Sequence, residues 1–268
     1  MGIDMSVRIC DVIDFLTAQG IKRAQTVDRL EFGNPDMVVK GIATTFLATQ
    51  RVVEKAEKLG VNLIISHEGI FFSHWDKREM LKTDPVYREK CRVIEESKMA
   101  IFRYHDYVHD HIPDAIMVGL LKELDWEKFE VKYEQTASVV EIPAATLEEI
   151  ILYIKKRLNI QYVRYMGDLT ISCRRIGLLV GYRGQGDLAI DLIRRENPEL
   201  LIYGEGPEWE TPEYIRDSIQ QGRQRAMIVL GHAESEAPGM KYLAHYLQDK
   251  FPSIPIYFIS ENPVFRIL

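Results

Sequence analysis

A chain of 268 residues with 46% hydrophobic and 28% charged side chains is long enough for one large or two modest domains, each with its own core. Its 34 basic against 40 acidic residues give a net charge of −6, which argues against a chain built to coat nucleic acid or anionic membrane. Cys10, Cys91 and Cys173 are isolated in sequence and indicate neither a disulfide framework nor a thiolate zinc site; with no leader-like start and no run approaching ~18 apolar residues, the expectation is a cytoplasmic protein.

Val7, Ile9, Val12, Ile13 and Leu16 recur at helical spacing and predict an amphipathic helix over 6–19, with Gly20 as its stop. A polar approach at 34–36 leads to a predicted strand over 37–43. Thr44 and Thr45 are the expected caps of a helix whose apolar face is Val52, Val53, Ala56 and Leu59, closed by Gly60. The run Val61 to Ser66 then completes a βαβ unit, so the strands ending near Ala43 and His67 are expected to be parallel. A charged helix over 85–98 feeds a further strand beginning at Ala100.

Beyond Leu120 the texture changes. Residues 136–142 alternate like a strand, Thr146 to Glu149 reads as a capping box, and Ile150, Ile151, Ile154 and Leu158 line the helix it opens. Strand-like runs at 162–166 and 175–180 precede the glycine-rich loop 181–186, which either permits a turn or cradles a phosphate through its amides with help from Arg183. A helix from Asp187 to about Arg195, a strand over 200–203 and an acidic loop over 204–208 follow. Met240, Leu243, Ala244, Leu247 and Phe251 mark a late helix, and 256–259 a last strand. The segments group as an α/β domain of 1–125 plus 226–268, bearing the histidines described next, and a second α/β domain of 126–225.

Three apolar runs end in histidine with acidic neighbours: 63–66 before His67 and Glu68; 100–104 before His105, Asp106, His109 and Asp110; and 227–231 before His232, Glu234 and Glu236. Residues just past the carboxyl ends of parallel strands line the crevice where open α/β sheets bind ligands. Imidazoles and carboxylates drawn from three segments suit a borderline transition metal, with zinc, iron, manganese and nickel all compatible. His232 and Glu236 sit four apart, as do His105 and His109, a spacing that turns both side chains to one side of a helical turn. His74, His111 and His245 read as hydrogen-bonded surface residues, and Trp75 and Trp209 as packing residues.

Asn62 to Phe72, with its strand, His67 and apolar tail, resembles the signature of the Nif-three-like, dinuclear-metal, hexameric family, often labelled GTP cyclohydrolase I type 2 homologue. Gly231-His232, Glu236 and Pro238-Gly239 resemble its closing motif. The resemblance runs from the strand at 37 to Glu261, Asn262 and Pro263, without the middle insertion some members carry. It implies the α/β Nif-three-like fold, a metal site at strand carboxyl ends, two divalent ions per chain and a homohexamer. Carried onto this chain it implies the ligands His67, Glu68, His109, His232 and Glu236, with Glu236 bridging, His67 and His109 on one ion, and Glu68 and His232 on the other. Two positions depart from the family pattern in a reciprocal way: Glu68 stands where the family has a second histidine, and His109 where it has an aspartate. Asp106 or Asp110 is an alternative to His109, and the family's acidic pattern before the first strand is not evident in Thr26 to Leu30.

The expected function is a metal-dependent hydrolase of a small polar or nucleotide-like substrate, with His105 as the proton-transfer group and Glu234 or Asp106 as alternatives. A non-enzymatic metal-binding or regulatory oligomer is the competing expectation.

Overall fold

The computed structural model describes residues 6–18, 20–21, 24–75 and 77–268; position 19 of the first expected helix lies outside them. The chain forms two compact units, Met1–His111 with Met240–Asn262, and Ile112–Gly239 with Pro263–Leu268.

The first unit opens with helix α1 (Ile9–Thr17), whose Ile9, Val12 and Leu16 are buried. Strand β1 (Arg29–Phe32) follows, then β2 (Ile42–Thr45). The strand expected over 37–43 is therefore displaced toward the C-terminus. Residues 37–39 instead meet the start of α1, through an Arg8–Val38 bridge and the Val39 amide on the Val7 carbonyl. Because β2 runs on through Thr45, the cap of helix α2 (Gln50–Lys58) passes to Thr49, whose hydroxyl accepts the Val52 amide. Strand β3 (Leu63–Ser66), helix α3 (Pro85–Ser97), capped by Asp84, strand β4 (Ala100–Arg103) and the single-turn helix α4 (Asp106–His109) complete this run.

In the second unit, α5 (Ala115–Glu123) leads to the antiparallel pair β5 (Glu130–Glu134) and β6 (Ala137–Thr146). Helix α6 (Leu147–Leu158) opens on the expected capping box: Thr146 and Glu149 hold each other's amides. Then come β7 (Arg164–Met166), β8 (Ser172–Leu179), α7 (Gly186–Glu196), β9 (Leu200–Tyr203), α8 (Thr211–Gln220) and β10 (Ala226–Val229). Helix α9 (His232–Lys250) begins at His232 itself, and β11 (Ile256–Phe258) returns to the first unit.

The first unit's sheet has the order β1-β4-β3-β2-β11, parallel throughout except for β1 against β4. Every residue of β2, β3 and β4 is buried, as expected of strands covered on both faces. On one face Val52, Val53 and Ala56 of α2 pack with Ile64, Ile94 and Ile101. The α9 residues Tyr246 and Lys250 meet Phe15 of α1.

The second sheet has the order β5-β6-β8-β9-β10-β7. Here β10 pairs in parallel with β9 (Ala226 opposite Leu200) and antiparallel with β7. The strand before His232 thus belongs to the second unit, where sequence grouped it with the first; an apolar run does not reveal which sheet it joins. Leu179, Leu192, Leu201, Ile215 and Met227 share this unit's core.

Candidate metal centre

Ser66 at the end of β3 pairs with Arg103 at the end of β4, so the residues after these parallel neighbours, His67 and Tyr104 to His109, emerge side by side. His67, fully buried, stacks on His105 with ring centroids 4.6 Å apart, and His109 stands 5.1 Å from each. One nitrogen from each of the three lies within 4.8 Å of the others, so the group could hold a metal ion.

Hydrogen bonds select the tautomers. His67 Nδ1 lies 3.2 Å from the Tyr104 carbonyl, and His105 Nδ1 lies 3.1 Å from Asp106 Oδ1. Both partners only accept, so in the neutral rings the protons sit on Nδ1 and the lone pairs on Nε2, the arrangement that prepares imidazole for a metal. Asp106 also accepts from Thr26 Oγ1 (2.9 Å) and the Val27 amide (3.1 Å). Its carboxyl is held below the ordinary range chiefly by the His105 hydrogen bond, against the opposing effect of burial.

Asp28, in the segment where no family pattern was evident, governs α4. Its two carboxylate oxygens accept the amides of His105 (2.8 Å), Asp106 (2.8 Å) and Tyr107 (2.9 Å). A distant aspartate thereby satisfies the orphan donors of the turn that carries His105 and His109. Burial raises the Asp28 pKa, and those three amides pull the other way. Asp110, the other alternative to His109, accepts the Ile21 amide at 3.2 Å, and it is His109 that joins His67 and His105.

A second group in the same unit comprises Glu68, His74 and His105. Glu68 Oε1 is 3.6 Å from His105 Nε2, and Glu68 Oε2 is 3.7 Å from His74 Nδ1. Burial opposes ionisation of Glu68, but the imidazoles of His105, His74 and His67 outweigh it and keep the carboxyl far below its usual range. His74, expected as a hydrogen-bonded surface residue, is exposed, and Arg103 Nη1 donates to its carbonyl at 2.6 Å. His111 bonds the buried Tyr104 hydroxyl at 3.0 Å.

In the second unit, His232 and Glu236 share the first turn of α9, with His232 Nε2 3.1 Å from Glu236 Oε2 and His232 Nδ1 3.0 Å from Glu205 Oε2. Glycines make room for them. Gly181 has φ +58°, and a β-carbon there would lie 2.0 Å from Glu236 Oε1 and 3.2 Å from His232 Nε2. Gly231 has φ +109°, and a β-carbon there would meet Glu234 Oε2 at 2.1 Å, which puts Glu234 beside the entry to α9.

The phosphate-cradle reading of loop 181–186 loses its donors. The amides of Gly181, Gly184 and Gly186 go to Ser235 Oγ, the Glu205 carbonyl and Glu210 Oε2, while Arg183 pairs with buried Asp114 at 2.9 Å. Trp75 and Trp209 are both more than 70% exposed.

The Duf34/NIF3 (NGG1p interacting factor 3) family model matches residues 11–263. The chain belongs to this family. It is 22% identical over 261 residues to a GTP cyclohydrolase 1 type 2 homolog of Clostridium perfringens, covering 95% of each chain. Its fold matches a hypothetical protein of Staphylococcus aureus (TM-score 0.79, 17% identity, 100% of each chain) and a Bacillus cereus protein related to NIF3 (TM-score 0.78, 13% identity, 99% of this chain and 100% of that one).

The two positions expected to depart from the family pattern, Glu68 and His109, both lie against His105: the carboxylate approaches its Nε2 and the imidazole its ring. Among the described residues no helix is long and apolar enough to cross a membrane.

Proposed function

We propose that this member of the Duf34/NIF3 family is a divalent-metal-dependent hydrolase of a small polar or nucleotide-like substrate, with His67, His105 and His109 holding an ion in the first unit. The observation that carries this reading is the pair of Nδ1 hydrogen bonds, to Tyr104 and Asp106, which leave the Nε2 lone pairs of His67 and His105 as donors. A nitrogen-rich set favours zinc, iron or nickel over the harder cations, with manganese less well matched. Bound there, such an ion would lower the pKa of its water and polarise an attacked carbonyl or phosphoryl oxygen.

His105 is assigned to the donor set, since its Nδ1 proton is directed at Asp106. Glu68, ionised beside His105, keeps a negative charge next to that set. In the second unit the His232–Glu236 pair, with Glu234 beside the entry to its helix, offers a further imidazole and carboxylate. The GTP cyclohydrolase name of the relatives makes nucleotides the first substrates to screen.

Elemental analysis of protein purified without chelator or nickel affinity, beside His67→Ala, tests the reading. Stoichiometric metal in the wild type, lost in the variant, together with hydrolysis of a nucleotide or phosphoester, is the expected result. Absence of stoichiometric metal even after reconstitution overturns it; metal without any hydrolysis supports the binding or regulatory role instead.

A further inference from the structure

Arg103 ends an otherwise aliphatic and aromatic strand, β4, and its side chain is only 1% exposed. A guanidinium stays protonated and carries donors only, so each nitrogen or oxygen facing it acts as an acceptor. Nη2 lies 3.3 Å from Glu68 Oε2 and 3.1 Å from His74 Nδ1, and Nη1 lies 2.6 Å from the His74 carbonyl. Glu68 and His74 are two of the three members of the second candidate metal group, and Glu68 Oε2 and His74 Nδ1, the atoms Arg103 meets, are 3.7 Å apart. A divalent ion on that carboxylate and imidazole would sit within a few ångströms of a positive charge that is itself buried.

We infer that the Arg103 guanidinium takes the place of a metal ion at Glu68 and His74, so that among the described residues of the first unit the His67–His105–His109 set is the one left to a divalent ion. This rests on the metal reading above and narrows it. Glu68 becomes the counter-ion of a cation carried by the chain, and the histidine-to-carboxylate departure at position 68 gains a reason, because an arginine needs an anionic partner where a metal is served by neutral imidazole. Arg103 is a positioning residue here: it fixes Glu68 and His74 around His105.

The test is zinc and cobalt(II) binding to the full chain, by equilibrium dialysis with elemental analysis, for the wild type, Glu68→Gln, Arg103→Lys, Arg103→Met and the Glu68→Gln/Arg103→Met double variant. Glu68→Gln and Arg103→Lys are expected to bind the same number of ions as the wild type, with the cobalt(II) absorption spectrum unchanged. Arg103→Met is expected to take up one more ion per chain, and the double variant to lose it again. Loss of an ion in Glu68→Gln would overturn the inference, because Glu68 would then be a ligand in the wild type. So would a folded Arg103→Met with the wild-type count. If Arg103→Met does not fold, the Glu68→Gln count alone decides. A wild type that binds no ion fails the metal reading itself, a different result from a wild type that binds and a Glu68→Gln that loses an ion.

Discussion

The two units build their histidine sites by different means. In the first, His67, His105 and His109 come from separate strand ends and a single turn, and their order is imposed from outside by Asp28, Asp106 and the Tyr104 carbonyl. In the second, His232 and Glu236 come from one helical turn, and their order follows from i,i+4 spacing plus the missing side chain of Gly181, with Glu205 accepting from His232. The first site depends on hydrogen bonds that order a separate turn, and the second on the spacing within one turn and on a space kept open beside it. Perturbations should therefore sort by unit.

The largest expected effect breaks the second unit's arrangement by filling that space. Gly181→Ala meets a left-handed backbone, which costs about 1–2 kcal/mol. It also meets Glu236 Oε1 at 2.0 Å, and such overpacking adds about 1–3 kcal/mol. A loss of roughly 2–5 kcal/mol in denaturant unfolding is expected, with metal binding to the His67 set retained. A loss under ~1 kcal/mol would mean that Glu236 yields freely and that the glycine is not what orders the pair.

This division also explains which features could be read in the chain. Helices with 3.6-residue apolar spacing and the doubly covered strands β3, β4, β9 and β10 announce themselves, because buried aliphatic runs leave a local pattern. Strands β1 and β5 do not: they are half-exposed, at the edges of their sheets, and carry no such run. Helix α8 is absent from the sequence reading, since its buried face of Thr211, Ile215 and Ser218 carries a single aliphatic residue. Of the site, His67, His232 and Glu236 follow from strand ends and spacing. Asp28, His74, Arg103 and Glu205 act across 27 or more residues of sequence, so only the folded sheet brings them to their partners. Arg103 left one visible trace, a charge at the end of an apolar strand.

A smaller effect tests the claim that the first unit is ordered from a distance. Asp28→Ala removes the acceptor of three amides at the start of α4, and capping losses of this kind cost about 0.5–2 kcal/mol. The burial that raises the Asp28 pKa offsets part of what the carboxylate contributes, which keeps the expected loss within that range. Zinc affinity should fall with it, since His105 and His109 ride on that turn. Unchanged affinity would show that the turn holds its histidines without the cap.

The finest comparison sets two carboxylates with the same task against each other. Asp106 and Glu205 each accept from a histidine Nδ1, at 3.1 and 3.0 Å. Asp106 has a 19% exposed side chain and is itself fixed by Thr26 and Val27, whereas Glu205 is 49% exposed. A carboxylate fixed by further hydrogen bonds holds a ring in one orientation, while an exposed one competes with water and pays side-chain entropy for the contact. Asp106→Ala should therefore weaken zinc binding at the His67 set about 10–100-fold, the range typical of partners that orient metal-ligating histidines. Glu205→Ala should change zinc affinity by no more than about threefold, a step worth well under 1 kcal/mol. Competition titration with a chromophoric chelator resolves both, and equal losses in the two variants would mean that His232 holds an ion as well.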